Sequence, residues 1–255
     1  MIEAILFALG AIVASFVGVV SARLYTGHSI VNGRSRCDVC NETLPALALV
    51  PVISYVVLRG KSRCCGALLS FFSPLTEILL GVLFVVAYQS LGLGLPLGLF
   101  LLALSLLLAL VLYDLQHQIL PPLLLYGLVV IALFFRYSVS FDLYSFQTAL
   151  VVAGGVGLFF LAMHYFSRGR AMGFADAPLA FALALLVGPS DAFIGVVFSF
   201  WVGAAIGIII LLRRPKGSRI GVEVPFAPFL AAGFLLAHFF ISWNPFSPLL
   251  TDLTL

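Results

Sequence analysis

Eight long apolar runs, nearly free of charge, leave this chain very few folds. They lie near residues 4–22, 73–90, 96–114, 120–137, 146–166, 176–188, 192–212 and 225–243. About 20 apolar residues cross the hydrocarbon core as a helix, and in lipid only helices or closed barrels satisfy every backbone hydrogen bond. The alternating pattern of a membrane barrel is absent. The runs therefore predict an all-α polytopic membrane protein of about eight transmembrane helices, with one small cysteine-containing insert between the first two. Composition agrees: with 63% hydrophobic and 9% charged residues, the chain lacks the polar surface to cover a soluble globule of 255 residues. Three segments follow, residues 1–22 as the first helix, 23–72 as a cytoplasmic insert and 73–255 as a seven-helix membrane domain. No internal repeat, heptad run or low-complexity segment is present.

The basic residues predict an orientation. Glu3 and no Lys or Arg precedes the first run, whereas a secretory signal opens with Lys or Arg, so this helix is expected to stay in the mature protein. Its first basic flank is Arg23, which by the positive-inside rule places the N-terminus outside. Carrying the alternation through eight spans puts Arg34, Arg36, Arg59, Lys61, Arg63, Arg168, Arg170, Arg213, Arg214, Lys216 and Arg219 inside with Arg23, and leaves Arg136 outside. The net charge of +3 is thus explained by orientation and the anionic cytoplasmic leaflet, and no nucleic-acid partner is indicated.

All four cysteines fall in the insert: Cys37 and Cys40 as a C-x-x-C, then Cys64 and Cys65 side by side. In a reducing compartment such a cluster points to a metal before it points to disulfides. The first pair is a good half-site for zinc. The second is poorer, because structural zinc sites space their ligands by two to four residues and adjacent side chains are expected to diverge. Cys65 is the expected third ligand, with Cys64 or His28 as the fourth; the alternative is free thiols packed in a small loop.

Two acids, Asp114 and Asp176, lie in or against uncharged runs. Acids at membrane depth are costly and usually mark proton, ion or catalytic chemistry. The predicted topology brings both to the cytoplasmic side. Each also has an ordinary reading, Asp176 as an N-cap before Pro178 and Asp114 as an interfacial helix end. Two carboxylates sharing one low-dielectric site cannot both ionise cheaply, so the pair would hold a single proton. One could then act as general base toward a water while the other polarises a scissile carbonyl. No Ser/His/Asp or H-E-x-x-H set competes; His117, His164 and His238 read as packed or interfacial histidines.

At these residues the chain resembles the bacterial type IV prepilin peptidases. The resemblance runs nearly end to end, through Gly10-Ala-Ile-Val-Ala-Ser-Phe16, the cysteine insert, Leu49-Val-Pro-Val-Ile-Ser-Tyr-Val-Val-Leu-Arg-Gly60, Ser73-Pro-Leu-Thr-Glu77 with Gly81, Asp114-Leu-Gln-His-Gln-Ile-Leu-Pro121, Met172-Gly-Phe-Ala-Asp176 and Val224-Pro-Phe-Ala-Pro-Phe-Leu230. It implies an aspartic intramembrane protease of the bacterial cytoplasmic membrane, its active site facing the cytoplasm, that removes the basic leader of type IV prepilins or pseudopilins. It implies Asp114 and Asp176 as the catalytic pair, with no cofactor needed for cleavage. It also implies zinc on the insert cysteines and S-adenosylmethionine-dependent methylation of the new N-terminus, the residues holding that methyl donor being unassigned. The chain departs from the family pattern at Ala175, where the G-x-G-D motif has a glycine able to adopt positive φ. It departs also at Pro122, Pro178 and Ala227, and at Ser62, where the second C-x-x-C would begin. A non-catalytic relative that binds pilin-like helices as an assembly factor is the alternative, and a proton-coupled transporter a weaker one.

Overall fold

The structure, a computed structural model, describes residues 1–25, 39–40, 42–43, 50–140, 142–170, 172–213 and 225–242. Cys37 and His28 lie outside the described residues, as do Arg34, Arg36, Arg214, Lys216 and Arg219 of the orientation argument. Among the described residues the secondary structure is helical: α1 (Ile2–Arg23), α2 (Ile53–Val57), α3 (Phe72–Leu91), α4 (Leu95–His117), α5 (Pro122–Val139), α6 (Leu143–Ser167), α7 (Asp176–Val187), α8 (Pro189–Arg213) and α9 (Ala227–Ser242). All eight expected runs are helices. Six of them, α1, α3, α4, α5, α6 and α8, are long and apolar enough to cross a membrane, and α7 and α9 are shorter apolar helices. The chain is a multi-pass membrane protein.

It divides into two compact units, residues 1–112 and 113–255, with the boundary inside α4. In the first unit α1 packs on α3 through small residues. A Cβ at Gly10 would lie 2.8 Å from the Gly81 Cα and the Leu80 carbonyl oxygen, so glycine lets the two backbones approach closely, as small residues do where membrane helices meet. The insert is tied to the foot of α3. Val52, a β-branched residue at φ 60°, donates its backbone N–H to Glu77 Oε2 at 2.8 Å, and the Ser73 hydroxyl donates to Glu77 Oε1 at 3.4 Å. Glu77 is buried, so its carboxylate offsets both its own desolvation and the unfavourable backbone at Val52.

In the second unit α7 is the central element, packed against α5, α6, α8 and α9. Ten of its 12 residues are buried. Its alternating Ala and Leu side chains suit a helix enclosed on every side rather than one with a single buried face. The helix starts and stops are legible locally. Pro122 sits in the first turn of α5 and Pro178 in that of α7, where a missing N–H leaves no helical bond unmade.

Candidate active site and cysteine cluster

Both sequence-predicted acids belong to the second unit, one at the C-terminal end of α4 and the other at the first position of α7. Asp114 is 6% exposed and Asp176 7% exposed, far below what an interfacial residue would show. Asp114 is near enough for its charge to bear on Asp176.

Each carboxyl is held by a main-chain donor. Ala227, the first residue of α9, donates its N–H to Asp114 Oδ2 at 3.2 Å. Gly173 donates its N–H to Asp176 Oδ2 at 2.9 Å. Asp176 is therefore not an N-cap: Ala175 occupies that position without a side-chain bond, and the Asp176 carboxylate reaches back into the loop before the helix. Asp114, at the C-terminal end of α4, thus meets the N-terminus of α9, and Asp176 opens α7; free N–H groups at helix N-termini carry partial positive charge.

The departures from the family pattern are absorbed by this geometry. Ala175 has φ −70° and ψ −16°, ordinary right-handed backbone, so the expected need for a glycine conformation at 175 does not arise. Ala227 meets Asp114 through its amide, which every residue but proline possesses. Pro122 and Pro178 stand in helix first turns, as described above.

His164, read from the sequence as a packing residue, stands beside the acids. One ring nitrogen, Nδ1, lies 2.9 Å from the Met172 carbonyl oxygen, and its ring meets Phe174 edge-on at 5.8 Å. It closes the loop between α6 and α7 onto the site. His117 stacks at a tilt on Tyr113, ring centroids 4.4 Å apart, and His238 lies on α9 beside Asp191.

Among the described residues, Cys40, Cys64 and Cys65 form a candidate second site in the first unit. Residues 60–69 fold as a hairpin closed by the Lys61–Leu68 bridge, with Ser62 N–H donating to the Ala67 carbonyl at 2.7 Å and Leu69 N–H to the Gly60 carbonyl at 2.8 Å. Cys64 and Cys65 occupy its tip, where a tight turn fans neighbouring side chains to the same side. The expected divergence of adjacent thiols therefore does not occur: the sulfurs of Cys40, Cys64 and Cys65 all lie within 4.8 Å of one another. Cys40 and Cys64 are 3.0 Å apart, and the Ser62 hydroxyl is 3.0 Å from Cys64 Sγ. Tetrahedral zinc with Zn–S bonds near 2.3 Å spaces its sulfurs about 3.8 Å apart, so this cluster fits a metal, with Cys37 the remaining cysteine.

A multi-pass helical protein carrying two buried, interacting carboxyls and an exposed thiol cluster is the class these features define. The sequence matches the description "Bacterial Peptidase A24 N-terminal domain" over residues 8–91 and "Type IV leader peptidase family" over residues 101–208. Relatives named prepilin leader peptidase/N-methyltransferase include one from Myxococcus xanthus, 34% identical over 83% of this chain and 64% of its own length. One from Bacillus subtilis is 28% identical over 92% of this chain and 93% of its own length. Another, from Aeromonas hydrophila, is 32% identical over 82% and 72%. The chain belongs to the type IV leader peptidase family. No solved structure matches it.

Proposed function

We propose that this chain is an inner-membrane aspartic endopeptidase that removes the basic leader of type IV prepilins or pseudopilins, with Asp114 and Asp176 as its catalytic pair. What supports the reading is that these two acids, from separate helices, are both buried and near enough for the charge of one to bear on the other. Sharing one proton, one carboxylate takes a proton from the attacking water while the protonated partner polarises the scissile carbonyl. The water oxygen bonds to the carbonyl carbon, the C–N bond breaks, and the proton passes to the leaving amine. The two titrate as a unit, so neither carries a fixed role. In this reading the N-terminus lies outside, residues 23–72 form a cytoplasmic insert, residues 73–255 carry the peptidase, and the cut falls at the cytoplasmic boundary. The new N-terminal amine would then receive a methyl group from S-adenosylmethionine, a step named in the relatives.

Zinc would be held by Cys40, Cys64 and Cys65 with Cys37, supplying a cross-link for an insert too small to build a core. Metal analysis of purified protein is expected to give about one zinc per chain, and Cys64→Ser and Cys65→Ser are each expected to lose most of it.

The test of cleavage is mass spectrometry of a synthetic prepilin incubated with the purified protein in liposomes, beside Asp114→Asn and Asp176→Asn. Cleavage by the wild type and by neither variant supports the pair, and a methyl mass gain with S-adenosylmethionine supports the second activity. A folded wild type that cuts no prepilin would move the reading to a non-catalytic factor that binds pilin-like helices.

A further inference from the structure

The C-terminal end of α7, opposite Asp176, is enclosed by three polar side chains that the proposed chemistry does not use. At about 1.5 Å per residue, the 12 residues of α7 measure about 18 Å, short of a hydrocarbon layer near 30 Å. Its last four residues are buried, with little water to donate to their carbonyls, and a helix leaves those four without partners of its own.

Here three of the four have named donors. Gly188 N–H donates to the Ala184 carbonyl at 3.0 Å. Arg136, from α5, donates Nε to the Leu185 carbonyl at 2.7 Å and Nη2 to the Leu186 carbonyl at 3.1 Å. His238, from α9, joins this end of the helix through Asp191. Asp191, buried in the first turn of α8, has Oδ2 3.6 Å from His238 Nδ1, and its charge acts on both His238 and Arg136. Gly188 is required twice over: its φ is 98°, and a Cβ there would lie 2.8 Å from Arg136 Nη2. Arg136 is also the lone basic residue that the orientation argument left outside, and this contact gives it a reason to be there.

We propose that Arg136, Asp191 and His238 form a clamp at the far end of α7 that sets the axial position of Asp176, which makes Arg136 a positioning residue for the acid pair. The proposal rests on the peptidase reading for its consequence, though not for its geometry. A short helix moves as a rod. Two carbonyls fixed by Arg136 of α5, itself paired with Asp191, therefore fix the register of its other end, and a slip of one residue's rise would take Asp176 about 1.5 Å from its place.

The test uses the full chain in detergent with Arg136→Gln and Arg136→Lys, read in two ways. Kinetics on a synthetic prepilin, corrected for folded protein, should show kcat down about ten- to a hundredfold in Arg136→Gln, the scale of loss for an ångström of misplacement, with KM within about twofold. Arg136→Lys, which keeps the charge and one donor, should recover part of it. Amide exchange at Gly173, measured by NMR on glycine-labelled protein, reports Asp176 directly, because that N–H is bonded to its carboxylate. Faster exchange at Gly173 in Arg136→Gln supports the clamp. Fraying confined to residues 183–187 with Gly173 still protected, or unchanged kcat, overturns it. Should Arg136→Gln fail to fold, Asp191→Asn, which keeps the guanidinium contacts and removes their counter-charge, must show the same two changes in milder form or the proposal falls. If the wild type cleaves nothing, the peptidase reading fails while Gly173 exchange still decides the clamp.

Discussion

The backbone N–H of Ala227 points at Asp114 Oδ2 across 3.2 Å, although the two residues are 113 positions apart in the chain. The contact uses the main chain, so the alanine that stands where the family pattern has glycine leaves it intact. Ala227 is wholly buried, which limits what its side chain can become.

Ala227→Gly is accordingly expected to cleave prepilin within about twofold of the wild type. Ala227→Leu must force three more carbons into a packed site, a change that costs about 1–3 kcal/mol, and should push α9 away from Asp114. Steady-state kinetics and thermal midpoints of the two variants check both halves.

Because the acids are proposed to act on one proton, their removal should not add. Asp114→Asn and Asp176→Asn are each expected to lower kcat by at least about a hundredfold, with the double variant little worse than either single one. Losses that multiply would mean that the residues act independently.

Gly10 carries the approach of α1 to α3. Gly10→Val places three carbons where even a Cβ would meet the Gly81 backbone at 2.8 Å, and backbone cannot rotate aside as a side chain can. Limited proteolysis is expected to show loosening within residues 1–112, with the 113–255 unit retaining its protection.

Asp142, outside the membrane helices, caps α6 by accepting the Ser145 N–H at 2.9 Å. Bonds from the Ser145 hydroxyl and amide hold its carboxyl below the ordinary value. A depressed folded-state value means that the contribution is present above the unfolded carboxylate range and lost as pH falls through the folded one. Asp142→Ala should therefore melt below the wild type at neutral pH, and the two melting curves should converge in acid.

Much of the fold was legible because its signal is local. An apolar run long enough for a membrane is a helix wherever it lies, so the positions of all eight runs agree with the observed helices. An acid inside such a run stands out for the same reason, which is how Asp114 and Asp176 came forward. The partners of those acids were illegible, since Gly173 and Ala227 contribute amides that every non-proline residue has. His164 was visible but lacked a reason to be singled out until the loop after α6 brought the Met172 carbonyl to its ring. Cys64 and Cys65 looked badly spaced in a line, and became a converging pair once the hairpin turned between Gly60 and Leu69.

Sequence alone thus determined the membrane class, the helix positions and the identity of the two costly acids, because transfer into lipid acts on each segment by itself. Tertiary structure alone decided that Asp114 receives an amide from α9, that Arg136 closes the end of a helix about 50 residues away, and that three thiols share one small volume. Those contacts depend on helix packing and turn geometry between distant segments, where a residue's neighbours are set by the fold and its letter says nothing of them.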